Sequence, residues 1–513
     1  MGLEDLLQVA WKRIKVDRKT DFLIGNFEYA IYEKYKEELI KHVAEKFKRE
    51  GKDYRPEPLR KIRVPKSSHT TRPGAVPTID DRIIYQYLVD EIAEKVEPNL
   101  IPIEDGVVHS YRYAHDRYSE NMFKYDSASY KTFQQKSVEY SECYNYIVVT
   151  DISDFFNRIY HHELESTLIG LGASQEITDV LMGILRKWQK GNSYSIPQGL
   201  WASDYIGNVY LDPIDKFMVR SGYNYFRYVD DIRIGVDTYI EGQKALLKLE
   251  QQIARYGLTL NAEKTMIIYK DDMDKLLFPY RERLQEIFDE LWSEVPDFSP
   301  YSDDNFVEAI TKDLNIRSLQ NLFLEQLEQE LPNASMTRFC LKKFRQLLDT
   351  GNLDVVLENI GKLVVVTPQL VNYLIFVSKH VESKYIVDTI SEYISCGNSC
   401  YDWQIMWLLH CLDRIGEVDG EAVSYIRKYL LTKDNIHEAV SVNLILLIGK
   451  HGDIEDRNWL LDLYESQNSI WIKRAILFSI QDLPHAKRNH FYSYCKGIDL
   501  LTDKIIDFVQ LKK

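Results

Sequence analysis

Two adjacent carboxylates inside a strand-like stretch are the residues of this chain best placed to do chemistry. The stretch is Tyr225-Phe226-Arg227-Tyr228-Val229-Asp230-Asp231-Ile232-Arg233-Ile234-Gly235-Val236, with aromatic and β-branched residues on both sides of the acids. That pattern predicts a strand, a tight turn carrying the acids, and a second strand. Successive side chains of extended backbone point to opposite faces, so Asp230 and Asp231 cannot meet one ligand as equals. One is expected to bind and the other to support it. Carboxylates on a rigid hairpin are hard oxygen ligands of the kind Mg²⁺ takes, and nucleotidyl transfer needs such ligands for two ions. Three other pairs, Asp80-Asp81, Asp271-Asp272 and Asp303-Asp304, stand in polar or turn-like surroundings and read as solvated loops.

A third acid closes an earlier apolar run. Tyr144-Asn145-Tyr146-Ile147-Val148-Val149-Thr150 reads as a buried strand that ends on Asp151. Helical spacing follows, and Asp154 fits its N-cap, which leaves Asp151 available for metal. His161 and His162 have no His or Cys partner at ligand spacing and read as surface or interface residues. Further on, Ile196-Pro197-Gln198-Gly199 precedes a helix through Asn208 and Leu211. A Pro-Gln-Gly turn brings backbone and an amide side chain close to something flat.

The elements that must carry these residues run strand, helix, helix, strand pair, helix, strand, an antiparallel α+β arrangement rather than a doubly wound sheet. The last helix spans about 239–256, and the last strand is Met266 to Tyr269. Ahead of them, residues 4–50 have helical periodicity, with Tyr29 and Tyr32 on one packing stripe. A proline- and cation-rich stretch from Arg55 to Lys66 and an extended segment from Arg72 to Arg82 lead into a helix at Ile83. Lys66 and Arg72 on this stiffened backbone suit phosphate, Arg72 as a bidentate fork, although a charged surface ribbon has the same composition. From about 275 to 513 the pattern is nearly all helix. Trp403 to Gly416, Val440 to Gly449 and Ile472 to Ile480 are apolar helices, and the 33-residue offset of Gly416 and Gly449 suggests a solenoid of HEAT type. The expected domains are 1–54, an N-terminal helical region; 55–275, which holds the candidate residues; and 276–513, all helix.

Length and composition fit this division. A chain of 513 residues with 45% hydrophobic content supports several packed cores. The net charge of −14 excludes a simple basic nucleic-acid binder, but residues 1–75 carry 18 Lys+Arg against 12 Asp+Glu, a balance of +6, and the remainder carries −20. The six cysteines show no paired metal-ligand spacing, and no apolar run approaches the roughly 18 residues of a membrane span. With no signal-peptide core at the N-terminus, a reduced, cytoplasmic protein is expected.

In order and spacing the motifs resemble those of reverse transcriptases. Asp151-x4-Phe156 resembles the first palm motif. Pro197-Gln198-Gly199, with Ser203 and Asn208 following, resembles the second, in the spacing of group II intron and retron enzymes. Tyr228-Val229-Asp230-Asp231 is similar to the YxDD box, Gly257-x6-Lys264 to the fourth palm motif, and Arg72 with Asp81-Arg82 to the fingers of bacterial members. The resemblance covers about residues 55–270 and implies right-hand polymerase fingers and palm, with the first 54 residues as a helical part of the fingers. It implies nucleotidyl transfer from dNTPs with two Mg²⁺ ions, or Mn²⁺ in their place. Asp151 and Asp230 would hold the metal, the Ile152 carbonyl would be a further ligand, and Asp231 would support them. Arg72 and Lys66 would clamp the triphosphate. Gln198 and Gly199 would frame the nascent base pair or sugar, and Asp154 and Phe155 share the nucleotide-facing loop with Phe156. Phe156 beneath the 2′ position would exclude a ribose hydroxyl. Lys264 is either the general acid for the leaving pyrophosphate or a solvated lysine after a turn.

No RNase H-like acid set or endonuclease domain follows, and helical repeats stand where a short thumb is expected. That architecture resembles the bacterial abortive-infection and defence-associated reverse transcriptases. It implies a homo-oligomer making DNA, either primed from a protein hydroxyl and left covalently attached, or copied from a companion non-coding RNA. A third reading is a reverse-transcriptase-derived scaffold that binds nucleic acid or protein without catalysis; the intact Asp151, Asp230, Asp231 and Gln198 argue against it.

Overall fold

The computed structural model of the chain describes residues 2–18, 27–66, 70–277, 316–432 and 436–511, so the Asp303-Asp304 pair lies outside the described residues. The chain forms two compact units: Met1–Phe22 with Ile40–Lys61 and Gly74–Ser302, and Leu23–Leu39 with Ile62–Pro73 and Asp303–Lys513.

The first unit is built on a four-stranded sheet. Its strands are β3 (Tyr146–Asp151), β4 (Asn224–Tyr228), β5 (Asp231–Val236) and β6 (Met266–Tyr269), in the order β4-β5-β3-β6 with every neighbouring pair antiparallel. β3 is central because Ile147, Val148 and Val149 are β-branched and buried on both faces. The helix Tyr239–Arg255 covers one face, with Gly242 packed against Val148 and Ile267. Its start is fixed by a reciprocal cap: Glu241 N–H donates to Thr238 Oγ1 at 3.2 Å and Thr238 N–H to Glu241 Oε2 at 3.0 Å. The helix Tyr130–Cys143 covers the other face, where the Phe133 and Tyr140 rings lie 5.4 and 4.5 Å from Phe226. The outer edge of β4 is occupied by Val107–His109, whose backbone exchanges hydrogen bonds of 2.8 and 2.9 Å with Arg227.

The register sets the chemistry. Asp151, the last residue of β3, stands opposite Asp231, the first residue of β5, so the strand end and the β4–β5 turn bring the acids to one edge of the sheet.

Among the described residues, the second unit contains helices and the hairpin of β1 (Arg60–Pro65) and β2 (Thr71–Val76), which it shares with the first unit. Helices Ala334–Gln346, Thr367–Val377, Asp402–Ile415, Glu438–His451, Ile470–Ser479 and Leu500–Leu511 each pack on the next of the series, and Ser383–Ser395 packs on Gly420–Thr432. The stack closes on an N-terminal piece of chain. The helix Glu28–Lys34 lies against Leu500–Leu511, and Arg474 bridges Asp499 at 2.7 Å and Glu28 at 3.4 Å. The 33-residue offset of Gly416 and Gly449 does not mark equivalent positions. Gly416 ends a helix at φ 85°, whereas Gly449 lies inside the helix Glu438–His451, where a Cβ would stand 2.3 Å from that of Ser479.

Candidate active site

The acids meet where β3 ends and the hairpin turns. Asp151 is buried, and Asp230 and Asp231 are half-buried. Burial first, then Asp151 and Asp231, push the Asp230 carboxyl up to about 8. Burial also raises Asp231, with Arg233 opposing it. Lys264 Nζ donates to Asp151 Oδ2 at 2.7 Å although its side chain is 63% exposed. Asn261 adds its backbone N–H to the Asp151 carbonyl at 2.7 Å, and its Nδ2 stands 3.4 Å from Asp151 Oδ2. The Ile152 N–H donates to the Asp230 carbonyl at 3.3 Å and ties the strand end to the turn.

This donor set fits a hard divalent cation. Asp151 and Asp231 raise Asp230, and Asp151 raises Asp231, a repulsion that a dication relieves, and carboxylate oxygens are the ligands Mg²⁺ and Mn²⁺ prefer. Among the described residues no group of three His, Cys, Asp or Glu side chains already stands in a metal-holding arrangement, in keeping with Asp151 being engaged by Lys264.

Two loops carry the other candidate residues of this unit. Asp154 sits at the start of the short helix Phe155–Arg158, but in the left-handed region (φ 52°, ψ 40°) and with no side-chain bond to the helix backbone. Its Oδ1 instead accepts from Asn157 Nδ2 at 2.7 Å, so the expected N-cap role is corrected. Phe155 is buried and Phe156 half-buried, with their rings 5.2 Å apart. The second loop carries Gln198, whose carbonyl accepts from the Ala75 N–H at 3.0 Å, and Gly199 at φ 91°, a backbone only glycine adopts freely. Gly257, at φ 70°, leaves room for the Tyr160 ring, which a Cβ would meet at 2.4 Å.

Lys66 and Arg72 lie on the β1–β2 hairpin in the part that groups with the second unit, and both are exposed. Asp81 and Arg82 hold structure. Asp81 accepts from Tyr54 Oη at 2.7 Å and from the Glu57 N–H at 2.9 Å, and Arg82 donates to Asp17 at 2.7 Å.

Several positioning residues escape the motif reading. Val229, in the turn between the motif tyrosine and the acids, is held at φ 52°, a strained conformation for a β-branched residue. Its carbonyl accepts from Arg227 Nη1 at 3.0 Å and its N–H donates to Ser110 Oγ at 2.8 Å. Arg227 is fully buried, donates twice to Asp215 at 2.7 Å, and reaches Asn208 Oδ1 at 2.6 Å. The available signal was an arginine inside an otherwise apolar strand. His161, whose sequence context suggests a surface or interface residue, is buried within the chain, with Nε2 2.8 Å from the Ser195 carbonyl.

Residues 64–294 match the family described as reverse transcriptase (RNA-dependent DNA polymerase). Among curated proteins, the group II intron-encoded protein LtrA of Lactococcus lactis subsp. cremoris is 30% identical over 198 residues, covering 36% of this chain and 29% of the relative; the protein of strain MG1363 gives the same figures. The match therefore spans under a third of the length of these relatives. Among solved structures, telomerase from Candida albicans in complex with a fragment of telomeric RNA aligns over 79% of this chain and 70% of its own, at 13% identity and a TM-score of 0.32. Telomerase from Candida tropicalis aligns over 76% and 64%, at 12% identity and a TM-score of 0.30. Scores this low add nothing to the fold argument. Residues 64–294, just under half of the chain, are therefore similar to the reverse transcriptase family.

Proposed function

We propose that this chain is a DNA polymerase of the reverse-transcriptase class that joins dNTPs by metal-assisted nucleotidyl transfer. The observation that carries the reading is the convergence of Asp151, Asp230 and Asp231, with Lys264 on Asp151, inside the stretch that matches the reverse transcriptase family. In the reaction a hydroxyl oxygen bonds to the α-phosphorus of a dNTP, the α–β phosphoanhydride bond breaks, and pyrophosphate leaves. Asp151 and Asp230, with the Ile152 carbonyl and Asp231 in support, would hold Mg²⁺ or Mn²⁺. The bound ions supply Lewis-acid activation of the hydroxyl and charge neutralisation at the leaving pyrophosphate. Lys264 is within reach of the same site and hands a proton to the pyrophosphate. Phe156 closes the sugar side against a 2′-hydroxyl, with Asp154 and Phe155 in the same loop. Gln198 and Gly199 frame the base pair, and Lys66 and Arg72 bind the triphosphate.

The wider role we propose is bacterial anti-phage defence of the abortive-infection type, in a cytoplasmic homo-oligomer whose all-helical half acts as sensor or assembly surface. It is supported by the pairing of a reverse transcriptase domain with a stack of helices. Synthesis is primed from a protein hydroxyl, so product DNA stays attached to protein. The test is denaturing electrophoresis of the purified protein after incubation with Mg²⁺ and labelled dNTPs. Label that stays with protein and is released by nuclease is expected. Asp230→Asn is expected to remove it to background, and Lys264→Ala to slow it by roughly 10²–10⁴-fold. Synthesis that survives Asp230→Asn overturns the mechanism. A single defined RNA co-purifying with the protein replaces protein priming by copying of that RNA.

A further inference from the structure

The loop that carries Phe156 and the loop that carries Gln198 are tied to each other by a short strap. Residues 156–161 and 193–196 run antiparallel, with a bridge between Tyr160 and Tyr194. Ile196 N–H donates to the Phe156 carbonyl at 3.0 Å, Ser195 N–H to the Ile159 carbonyl at 2.9 Å, and His161 N–H to the Ser193 carbonyl at 2.9 Å. The strap therefore runs from the residue proposed to face the 2′ position to the start of the Pro197-Gln198-Gly199 turn.

Its midpoint is strained. Ser195 sits at φ 78°, where a residue with a side chain persists only if its surroundings hold it. Two side chains do so. Asn157 Oδ1 accepts from Ser195 Oγ at 3.3 Å, and the same Asn157 donates to Asp154, at the head of the first loop. On the other side, His161 Nε2 lies 2.8 Å from the Ser195 carbonyl. A carbonyl only accepts, so the imidazole carries its proton on Nε2. Nδ1 is buried and has no hydrogen-bond partner among the described residues. A buried histidine that spends its one N–H on the carbonyl of a left-handed serine fixes the path of the chain into Pro197.

We infer that His161, through Ser195 and with Asn157, is a positioning residue that sets the distance between Phe156 and the Pro197–Gly199 turn and thereby the preference for deoxynucleotides over ribonucleotides. Neither side chain needs to touch the nucleotide. The strap converts the fold of one loop into the placement of the other, and a gate that excludes one hydroxyl tolerates little slack. This inference rests on the polymerase reading above.

The test is single-nucleotide incorporation by the full chain with Mg²⁺, comparing dATP with ATP. His161→Leu is expected to raise KM for dATP about tenfold and to lower the dATP/ATP preference about tenfold, with kcat changed less than about threefold. His161→Gln, which keeps an N–H at the Nε2 position, is expected to restore most of both. If His161→Leu does not fold, Ser195→Ala carries the same readouts, with a smaller loss in the same direction. A fall in kcat with KM and preference unchanged, or a glutamine variant no better than leucine, overturns the inference. A wild type that incorporates neither nucleotide overturns the polymerase reading and this inference with it. A wild type that discriminates, with variants that discriminate equally, overturns this inference alone.

Discussion

Burial and the neighbouring Asp151 and Asp231 push the Asp230 carboxyl up to about 8, while Lys264 and Arg233 bring two positive charges to the same three acids. A divalent cation would displace the proton that this repulsion keeps on Asp230, and carboxylates held against their mutual repulsion are the electrostatic mark of a functional site. A buried cation elsewhere is shifted the opposite way, away from these acids. Lys343, on the helix Ala334–Gln346, is 1% exposed, and its ammonium lies 5.8 Å from the centre of the Phe339 ring. Burial, and secondarily Lys342, push its pKa down to about 8 from 10.5. Between those values the unfolded chain holds a proton that the folded chain has lost. Stability should therefore rise with pH across that window, with the full penalty present below pH 8. Lys343→Met is expected to melt roughly 2–5 °C above the wild type at pH 7. The gap should narrow clearly at pH 9.5, and thermal melts of both proteins at the two pH values check it. A gap that is the same at both would show that Lys343 does not titrate in this window.

Scaffold elements hold the β4–β5 hairpin from behind. Arg227 on β4, Asp215 on the helix Asp212–Arg220 and Asn208 on the helix Trp201–Tyr210 form one buried network, and it ends on the carbonyl of the strained Val229. Removing one partner leaves a buried charge without compensation, so Asp215→Ala is expected to cost about 3–5 kcal/mol by chemical denaturation. The double change Arg227→Met with Asp215→Leu should recover most of that stability while DNA synthesis stays low, because the Val229 carbonyl then loses its Arg227 donor. Recovery of synthesis along with stability would show that the network serves only the fold. How much of this was legible in sequence follows from the range of each interaction. The antiparallel hairpin of β4 and β5 could be read because its β-branched and aromatic spacing is local. Asp151 could be read because a buried strand ends on it. Asn208 stood in a motif, but its partner Arg227 is 19 residues on, and no local pattern joins them. The burial of His161 has no local signal, because its side-chain partner among the described residues, the Ser195 carbonyl, lies 34 residues away. Asp154 shows a finer limit, since composition marks a helix start but not a left-handed backbone. Gly416 and Gly449 look alike in sequence, yet one ends a helix and the other makes room for Ser479.

The charge of the whole chain opposes the nucleic acid that the proposed polymerase would hold. At −14 its long-range field repels phosphate, so affinity has to come from local cations at short range. Residues 1–75 supply the local excess of +6. Within them Lys48, Arg49 and Lys52 are exposed together, at the end of the helix Lys36–Glu50 and in the turn Gly51–Asp53. Each cation that meets a phosphate releases counterions, so the number of such contacts is read from the slope of log affinity against log salt. Replacing Lys48, Arg49 and Lys52 with glutamine should lower that slope by about 2–3 for an RNA annealed to a DNA primer, as measured by filter binding between 50 and 200 mM salt. Glutamine at Lys379, Lys487 and Lys496, three exposed cations of the helical half, changes the net charge by the same amount and should leave the slope where it was. If both triple variants shift affinity equally, the total charge governs binding. If only the first lowers the slope, an acidic protein grips its nucleic acid through a basic stretch near its N-terminus, and the remaining acidic surface limits binding elsewhere on the chain.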